Sequence, residues 1–202
     1  AGLGTDAVQA LTTSQVAALT TAEIIALTTT QIAAIETADI QALTANQFSK
    51  LTSTQIAALT TEQIAVIETA DIAALTTVQI RALTSDQIVA LNTLQFATLS
   101  TDQIRALGTE QIAAIETADI KALTAQQVGA LDSVQAPALK ASQIAAIDAL
   151  DIKSLTTDAL IVLDSSQIAA LTAAQVAALT GTQVAALTTE QVQSLETTHP
   201  AA

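Results

Sequence analysis

The sequence has no cysteine, methionine, tryptophan or tyrosine, and its only aromatic residues are Phe48 and Phe96. Without cysteine, neither a disulfide bond nor a thiolate metal site can form. Large aromatic side chains and methionine normally supply much of the bulk of a rounded core. Because half of the 202 residues are hydrophobic, that bulk must come from Leu, Ile, Val and Ala. This composition favours thin, repetitive packing.

Basic residues are also scarce, with six Lys and Arg against 19 Asp and Glu and a net charge of −13. Such a charge repels phosphate backbones and anionic lipid, so we predict no nucleic-acid partner. The uncharged stretch 165–189 carries Gln or Thr every few residues. It is too polar to supply the about 20 apolar residues that cross a bilayer, so no membrane insertion is predicted.

An eight-residue repeat runs through the chain. Leu or Ile recurs every eight residues from Leu3 to Leu195, which defines 25 octads over residues 3–202 with the consensus L-T-T-x-Q-I-A-A. We number the octad positions one to eight from this Leu or Ile. A single repeat array over residues 1–202 is predicted, and the missing initiator Met and abrupt ends suggest a fragment of a longer protein.

Each octad carries its own signal for the start of a helix. Position two is usually Thr, Ser, Asp or Asn, and position five is usually Gln, as in Thr12 and Gln15. This spacing is a capping box, in which the hydroxyl accepts from a backbone N–H one turn on and the Gln side chain reaches back. A new start every eight residues limits each helix to about two turns.

The charges follow the same polarity. All 19 acidic residues lie at positions two, four or five, and all basic residues except Lys140 lie at positions seven or eight. Acids at the start and bases at the end of each octad match the dipole of one short helix. One continuous helix would wind its apolar stripe around itself, and a β-solenoid would require alternation. We therefore predict an all-α fold, an α-solenoid of very short capped helices.

The number of helices per turn is suggested by a variant octad, I-E-T-A-D-I. It starts at Ile35, Ile67 and Ile115, and the related I-D-A-L-D-I starts at Ile147. The spacings of 32, 48 and 32 residues are multiples of 16. They favour two helices per turn, with three helices per turn as the alternative.

The repeat is irregular over residues 131–162. Octad 131–138 has Ala136 in place of Ile and Pro137 inside the helix, where proline removes a hydrogen bond. Octad 155–162, L-T-T-D-A-L-I-V, is unusually apolar. Local repacking beside the proline is one interpretation, and a binding surface for a protein partner is the other.

Residues with catalytic potential are few. His199 is the only histidine and has no partner nearby, and no base is placed to activate a Ser or Thr, so neither catalysis nor a cofactor is predicted. Four acidic pairs are the candidate metal ligands, and they are Glu36 with Asp39, Glu68 with Asp71, Glu116 with Asp119, and Asp148 with Asp151. Helix capping by these carboxylates is the favoured interpretation over weak calcium binding, because calcium needs six to eight oxygen ligands.

The segment L-T-x-x-Q-I-A-A-L resembles the opening helix of the DNA-reading repeats of TAL effectors. The likeness covers eight or nine residues, and that family's base-reading loop is missing here. The chain is also similar to Ala/Thr/Gln-rich repeat tracts of large bacterial surface or secreted proteins. This second resemblance implies a location at the cell surface or outside the cell.

The expected function is a non-catalytic, elongated spacer or stalk. A protein- or peptide-binding solenoid scaffold is the alternative, and a calcium-binding or ice-binding array, the latter using Thr at position three, is more remote. Apolar residues at both ends, Leu3 and Val192, together with Pro200, predict end-to-end self-association.

Overall fold

The computed structural model describes residues 4–198, whose regular structure is entirely helical. These residues form 22 α-helices, most of them four to six residues long, and two 3-10 helices. The chain divides into two compact units, Ala1–Leu99 and Ser100–Ala202. The predicted all-α solenoid of very short helices is confirmed, whereas one array over residues 1–202 stays a prediction.

Every α-helix begins at position three of its octad. The first unit contains α1 Thr5–Gln9, α2 Thr13–Ala17, α3 Thr21–Ala26, α4 Thr29–Ala34, α5 Thr37–Ile40, α6 Ala45–Phe48, α7 Ser53–Ala58, α8 Thr61–Ala65, α9 Thr69–Ala74, α10 Thr77–Ala82, α11 Ser85–Ala90 and α12 Thr93–Thr98. The second unit contains α13 Thr101–Ala106, α14 Thr109–Ala114, α15 Thr117–Ala122, α16 Ala125–Val128, α17 Ala141–Ala146, α18 Thr157–Leu160, α19 Ser165–Ala169, α20 Ala173–Ala178, α21 Gly181–Ala186 and α22 Thr189–Thr198. The 3-10 helices are Ala136–Ala138 and Ile152–Ser154.

A capping box starts most of the helices, as α10 illustrates. Thr76 Oγ1 accepts from the backbone N–H of Gln79 at 3.3 Å, and Gln79 Oε1 accepts from the backbone N–H of Thr76 at 2.7 Å. Leu83 then adopts extended backbone, with ψ at 136°, and ends the helix. Because the same box recurs with Ser, Asn or Asp as the cap, the predicted helix-start signal is confirmed.

The cap of α8 permits a direct test of this register. Thr60 Oγ1 accepts from the N–H of Gln63 at 3.2 Å, whereas the next residue, Thr61, is exposed. We expect Thr60→Ala to lower the free energy of unfolding by about 1 kcal/mol, because the Gln63 N–H loses its acceptor. Thr61→Ala, the control, should change it by less than about 0.5 kcal/mol. Urea unfolding followed by circular dichroism measures both, and equal losses would contradict the assignment of position two as the cap.

The core is made by positions one and six. Leu or Ile at position one and Ile or Val at position six are buried through most of the described chain, as at Ile88 and Leu91. The two aromatic residues, Phe48 and Phe96, replace Ile at position six and are also buried. Position seven is mostly exposed, as at Arg81. The side chains therefore sort by octad position rather than by location along the chain.

Helices three octads apart pack against each other. In the first unit α1 lies against α4, α7 against α10 and α8 against α11, and in the second unit α15 lies against α17 and α18 against α21. The members of each pair begin 24 residues apart. One turn of the solenoid therefore contains three octads, and we call the octads that stack at this spacing a column.

The prediction of two helices per turn is wrong. Each octad consists of one short helix and an extended link at positions one and two, and it advances the chain by a third of a turn. Three octads are needed before the chain returns above its starting point. The 16-residue periodicity of the variant octads therefore does not reflect the turn.

Residues 131–162 depart from the regular pattern. Octad 131–138 forms a 3-10 helix that contains Pro137, because proline lacks the N–H that would continue an α-helix. Its cap is kept, since Asp132 Oδ1 accepts from the N–H groups of Val134 and Gln135 at 2.8 Å each. The predicted interruption at Pro137 is confirmed as a local loss of α-helix.

Candidate functional site

The most constrained side chain of the repeat is the glutamine at position five. In α11, Gln87 Oε1 accepts from the backbone N–H of Thr84 at 2.8 Å. The amide nitrogen of the same side chain, Nε2, donates to the carbonyl of Ile56 at 2.8 Å and to that of Leu59 at 2.7 Å. One side chain thus caps its own helix and binds the chain in the preceding turn.

This arrangement repeats along both units, and we call it the glutamine ladder. Each ladder residue is at most 4 % exposed. Each donates from Nε2 to the carbonyls 28 and 31 residues earlier, and these residues are Gln47, Gln55, Gln63, Gln79, Gln87 and Gln95 in the first unit and Gln135, Gln143, Gln167, Gln175, Gln183 and Gln191 in the second. In these octads, the same pair of carbonyl contacts joins each turn to the preceding one.

The ladder satisfies carbonyl groups that short helices would otherwise leave without a donor. The last four carbonyls of any α-helix have no partner within it. In α7, the carbonyl of Leu59, the residue that ends the helix, receives only the amide of Gln87, at 2.7 Å. The carbonyl of Ile56 receives the N–H of Leu59 at 3.2 Å and, as a second donor, the amide of Gln87 at 2.8 Å. The helix start in one turn therefore completes the helix end in another.

The capping-box pattern predicts only half of this role. A capping box accepts Glu or Gln at this position, yet 17 octads have Gln at position five and only one, at Glu23, has Glu. A carboxylate can cap but cannot donate, so this bias is the signal that could have revealed the second contact. Glu23 is exposed, and its pKa is lowered by the N–H and then the hydroxyl of Thr20.

The four acidic octads interrupt the ladder. Glu36, Glu68 and Glu116 stand at the cap position but make no side-chain cap hydrogen bond. The interpretation of these three residues as carboxylate caps is therefore wrong. The glutamate side chain is longer than those of Ser, Thr and Asp, which are the side chains that cap helices well. Asp148 does act as a carboxylate cap, in an altered form, because its Oδ1 accepts from the N–H of Leu150 at 2.8 Å.

The second acid of each pair replaces the ladder glutamine. Asp39, Asp71 and Asp119 are buried, and Asp151 is half-buried. Asp71 is 5 % exposed. Burial, followed by the nearby charge of Glu68, raises the pKa of Asp71 to about 6. Aspartate is shorter than glutamine and has no amide to donate, so octad 67–74 lacks the bond to the preceding turn.

Residues 4–198 contain neither a metal-binding cluster nor a membrane-spanning helix. This part of the chain has no group of three or more acidic or histidine side chains placed to hold a metal ion. Nor does it have a helix both long and apolar enough to cross a membrane. His199 lies outside the described residues.

The ends of the chain bear on self-association. Val192 is exposed, and an open apolar depression of about 490 Å³ is lined by Leu19, Leu27 and Gln31 among others. Leu3 and Pro200 lie outside the described residues. End-to-end association stays a prediction.

Comparison with known families identifies the repeat. A family model described as the ALTTAQ repeat matches residues 32–66, 64–101, 88–114, 112–149 and 144–181. A search of curated proteins finds no match. The predicted tandem repeat is confirmed, whereas the likeness to TAL effectors and the bacterial surface location remain predictions.

Proposed function

The chain belongs to the ALTTAQ repeat family, and we propose that it is a non-catalytic structural segment that serves as a spacer or stalk. The glutamine ladder carries this proposal. The same side-chain atoms join each ladder octad to the preceding turn, so the connection does not depend on any one special residue. A segment of this kind gains or loses length by whole octads.

The exposed positions support the same function. Positions three and seven are mostly Thr, Ser and Ala, and such small side chains offer little chemistry to a substrate. Binding arrays of repeats usually present one face with varied exposed residues. Over most of this chain the exposed face is uniform, as expected for a segment that sets distance.

Removing one complete turn tests the spacer function. Deletion of residues 51–74 takes out three octads, and Gln79 then meets the carbonyls of Ile24 and Leu27, which Gln55 binds in the intact chain. We expect the variant to fold and its maximum dimension to fall by about 8–10 Å, one helix layer. Small-angle X-ray scattering measures this dimension, and circular dichroism measures helix content.

A deletion out of register is the matched control. Removing residues 51–70 takes out 20 residues, which is not a multiple of eight, so positions one and six no longer coincide with the core. This variant should lose most of its helix content. If both deletions fold equally well, or if the full-turn deletion shrinks the chain in all directions, the spacer proposal fails.

A binding scaffold is the second candidate, favoured by the exposed apolar residues within 131–162. Val134 is 68 %, Leu150 71 %, Ile161 41 % and Val162 40 % exposed. Val134, Ile161 and Val162 belong to one column, and exposed apolar residues that share a surface usually mark a contact with a partner. For calcium or ice binding no comparable observation exists within the described residues, and both stay predictions.

A further inference from the structure

One column of the second unit differs from the other two in charge. It contains octads 107–114, 131–138, 155–162 and 179–186, whose helices pack in that order from α14 to α21. We call it the acidic column. It contains Glu110, Asp132 and Asp158 and no Lys or Arg.

The basic residues of this unit all belong to the neighbouring columns, and they are Arg105, Lys121, Lys140 and Lys153. There they can neutralise nearby acids, as Arg105 Nη1 does for Asp102 Oδ1 at 3.2 Å. The acidic column has no such cation within its own octads. Only the three-octad turn makes this sorting visible, because the octads of one column are not adjacent in the sequence.

The same column also carries exposed apolar side chains. Val134, Pro137, Ile161 and Val162 are all exposed. Pro137 and Ile161 occupy the same octad position one turn apart. At position four the column runs from Glu110 through Val134 to Asp158, so an apolar residue stands between two carboxylates.

We propose that the acidic column is a docking surface for a basic, amphipathic segment of a partner protein. Lysine or arginine side chains of the partner meet Glu110 and Asp158, and its apolar face covers Val134 and Ile161. The two acids are separated by two helix layers, about 16–20 Å, which about 12 residues of a partner helix would span. Charge complementarity selects and steers the partner, and burial of the apolar residues supplies affinity.

This inference rests on the binding-scaffold alternative and not on the spacer proposal. A chain that fails to bind can still shorten by one layer in the scattering experiment. Conversely, a chain that fails the deletion test can still bind a basic segment.

The probe is a fluorescent 18-residue amphipathic helix of Leu and Lys, titrated with the full chain and followed by anisotropy. We expect Glu110→Gln with Asp158→Asn to weaken binding by about tenfold, the effect of 1.4 kcal/mol. Asp102→Asn with Glu190→Gln removes the same charge at position four of the other columns and should leave affinity within about twofold. Val134→Ser should weaken binding, whereas Leu150→Ser, the matched exposed residue of another column, should not.

Four results would overturn the proposal. They are equal losses for the two charge pairs, equal losses for the two serine variants, equal binding of a Leu/Glu helix, and self-association of the chain through Val134 and Ile161. Equal losses for the charge pairs would indicate attraction to the net negative charge alone.

Discussion

Gln87→Glu should be among the most damaging single changes in this chain. The substitution keeps the oxygen that caps Thr84 but replaces the amide that donates to Ile56 and Leu59. The Leu59 carbonyl then has no donor, which costs about 1–3 kcal/mol, whereas the Ile56 carbonyl keeps the N–H of Leu59 at 3.2 Å. The free energy of unfolding should therefore fall by about 1–3 kcal/mol from this carbonyl alone at neutral pH. A charged carboxylate placed against two carbonyls adds to this loss.

Gln15→Glu is the control. Gln15 is exposed and caps Thr12 at 2.8 Å, but its amide nitrogen donates no hydrogen bond within the described residues. Glu23 already fills the equivalent position of the next octad, where its Oε2 accepts from both the N–H and the hydroxyl of Thr20 at 2.8 Å. Gln15→Glu should therefore change stability by less than about 0.5 kcal/mol. Urea unfolding measures both variants, and equal effects would show that the capping box alone stabilises the fold.

The reverse substitution, Asp71→Gln, should stabilise the chain by about 1–3 kcal/mol, because a net hydrogen bond contributes about 0.5–1.5 kcal/mol. A glutamine at residue 71 would accept from the N–H of Glu68 and donate to the carbonyls of Ile40 and Leu43, the ladder spacing. Asp71→Asn is the matched variant, because it removes the charge but its side chain is too short to reach the carbonyls of Ile40 and Leu43. If both variants stabilise equally, the gain comes from the lost charge and the ladder contributes nothing.

The pH dependence of this gain has a definite sign. The pKa of Asp71 is about 6 in the folded chain against an ordinary value of 3.8. The folded state therefore binds this proton more tightly, so the stability linked to it is full below pH 3.8 and is lost as the pH rises to about 6. The advantage of Asp71→Gln should be smaller at pH 4 than at pH 7, and thermal unfolding at the two pH values measures it. An advantage that grows on acidification would contradict the raised pKa.

The features that the sequence predicted correctly lie within one octad. Capping by Thr60 or Thr76, the burial of positions one and six, and the disruption at Pro137 depend on residues three to five apart, whose relation the repeat displays directly. Helix polarity followed from charge placement for the same reason. Local patterns were sufficient because every helix except α22, which continues to Thr198, begins and ends within its own octad.

The features that the sequence did not predict are contacts between different octads. The spacing of 32 residues between Ile35 and Ile67 suggested two helices per turn, but the structure places three octads in a turn. A glutamine reaches carbonyls 28 and 31 residues away, and no local period records that distance. The eight-residue pattern indicated that Gln87 caps its helix, but the hydrogen bonds from its amide nitrogen to the preceding turn were missed.

A turn of three octads also couples length to direction. Adding or removing one octad leaves the contacts within each octad unchanged. It rotates the part of the chain that follows by a third of a revolution. Only the addition or removal of octads in multiples of three keeps a surface patch facing the same direction around the solenoid axis. In this repeat, the number of octads therefore sets both how far a downstream surface is carried and which way it points.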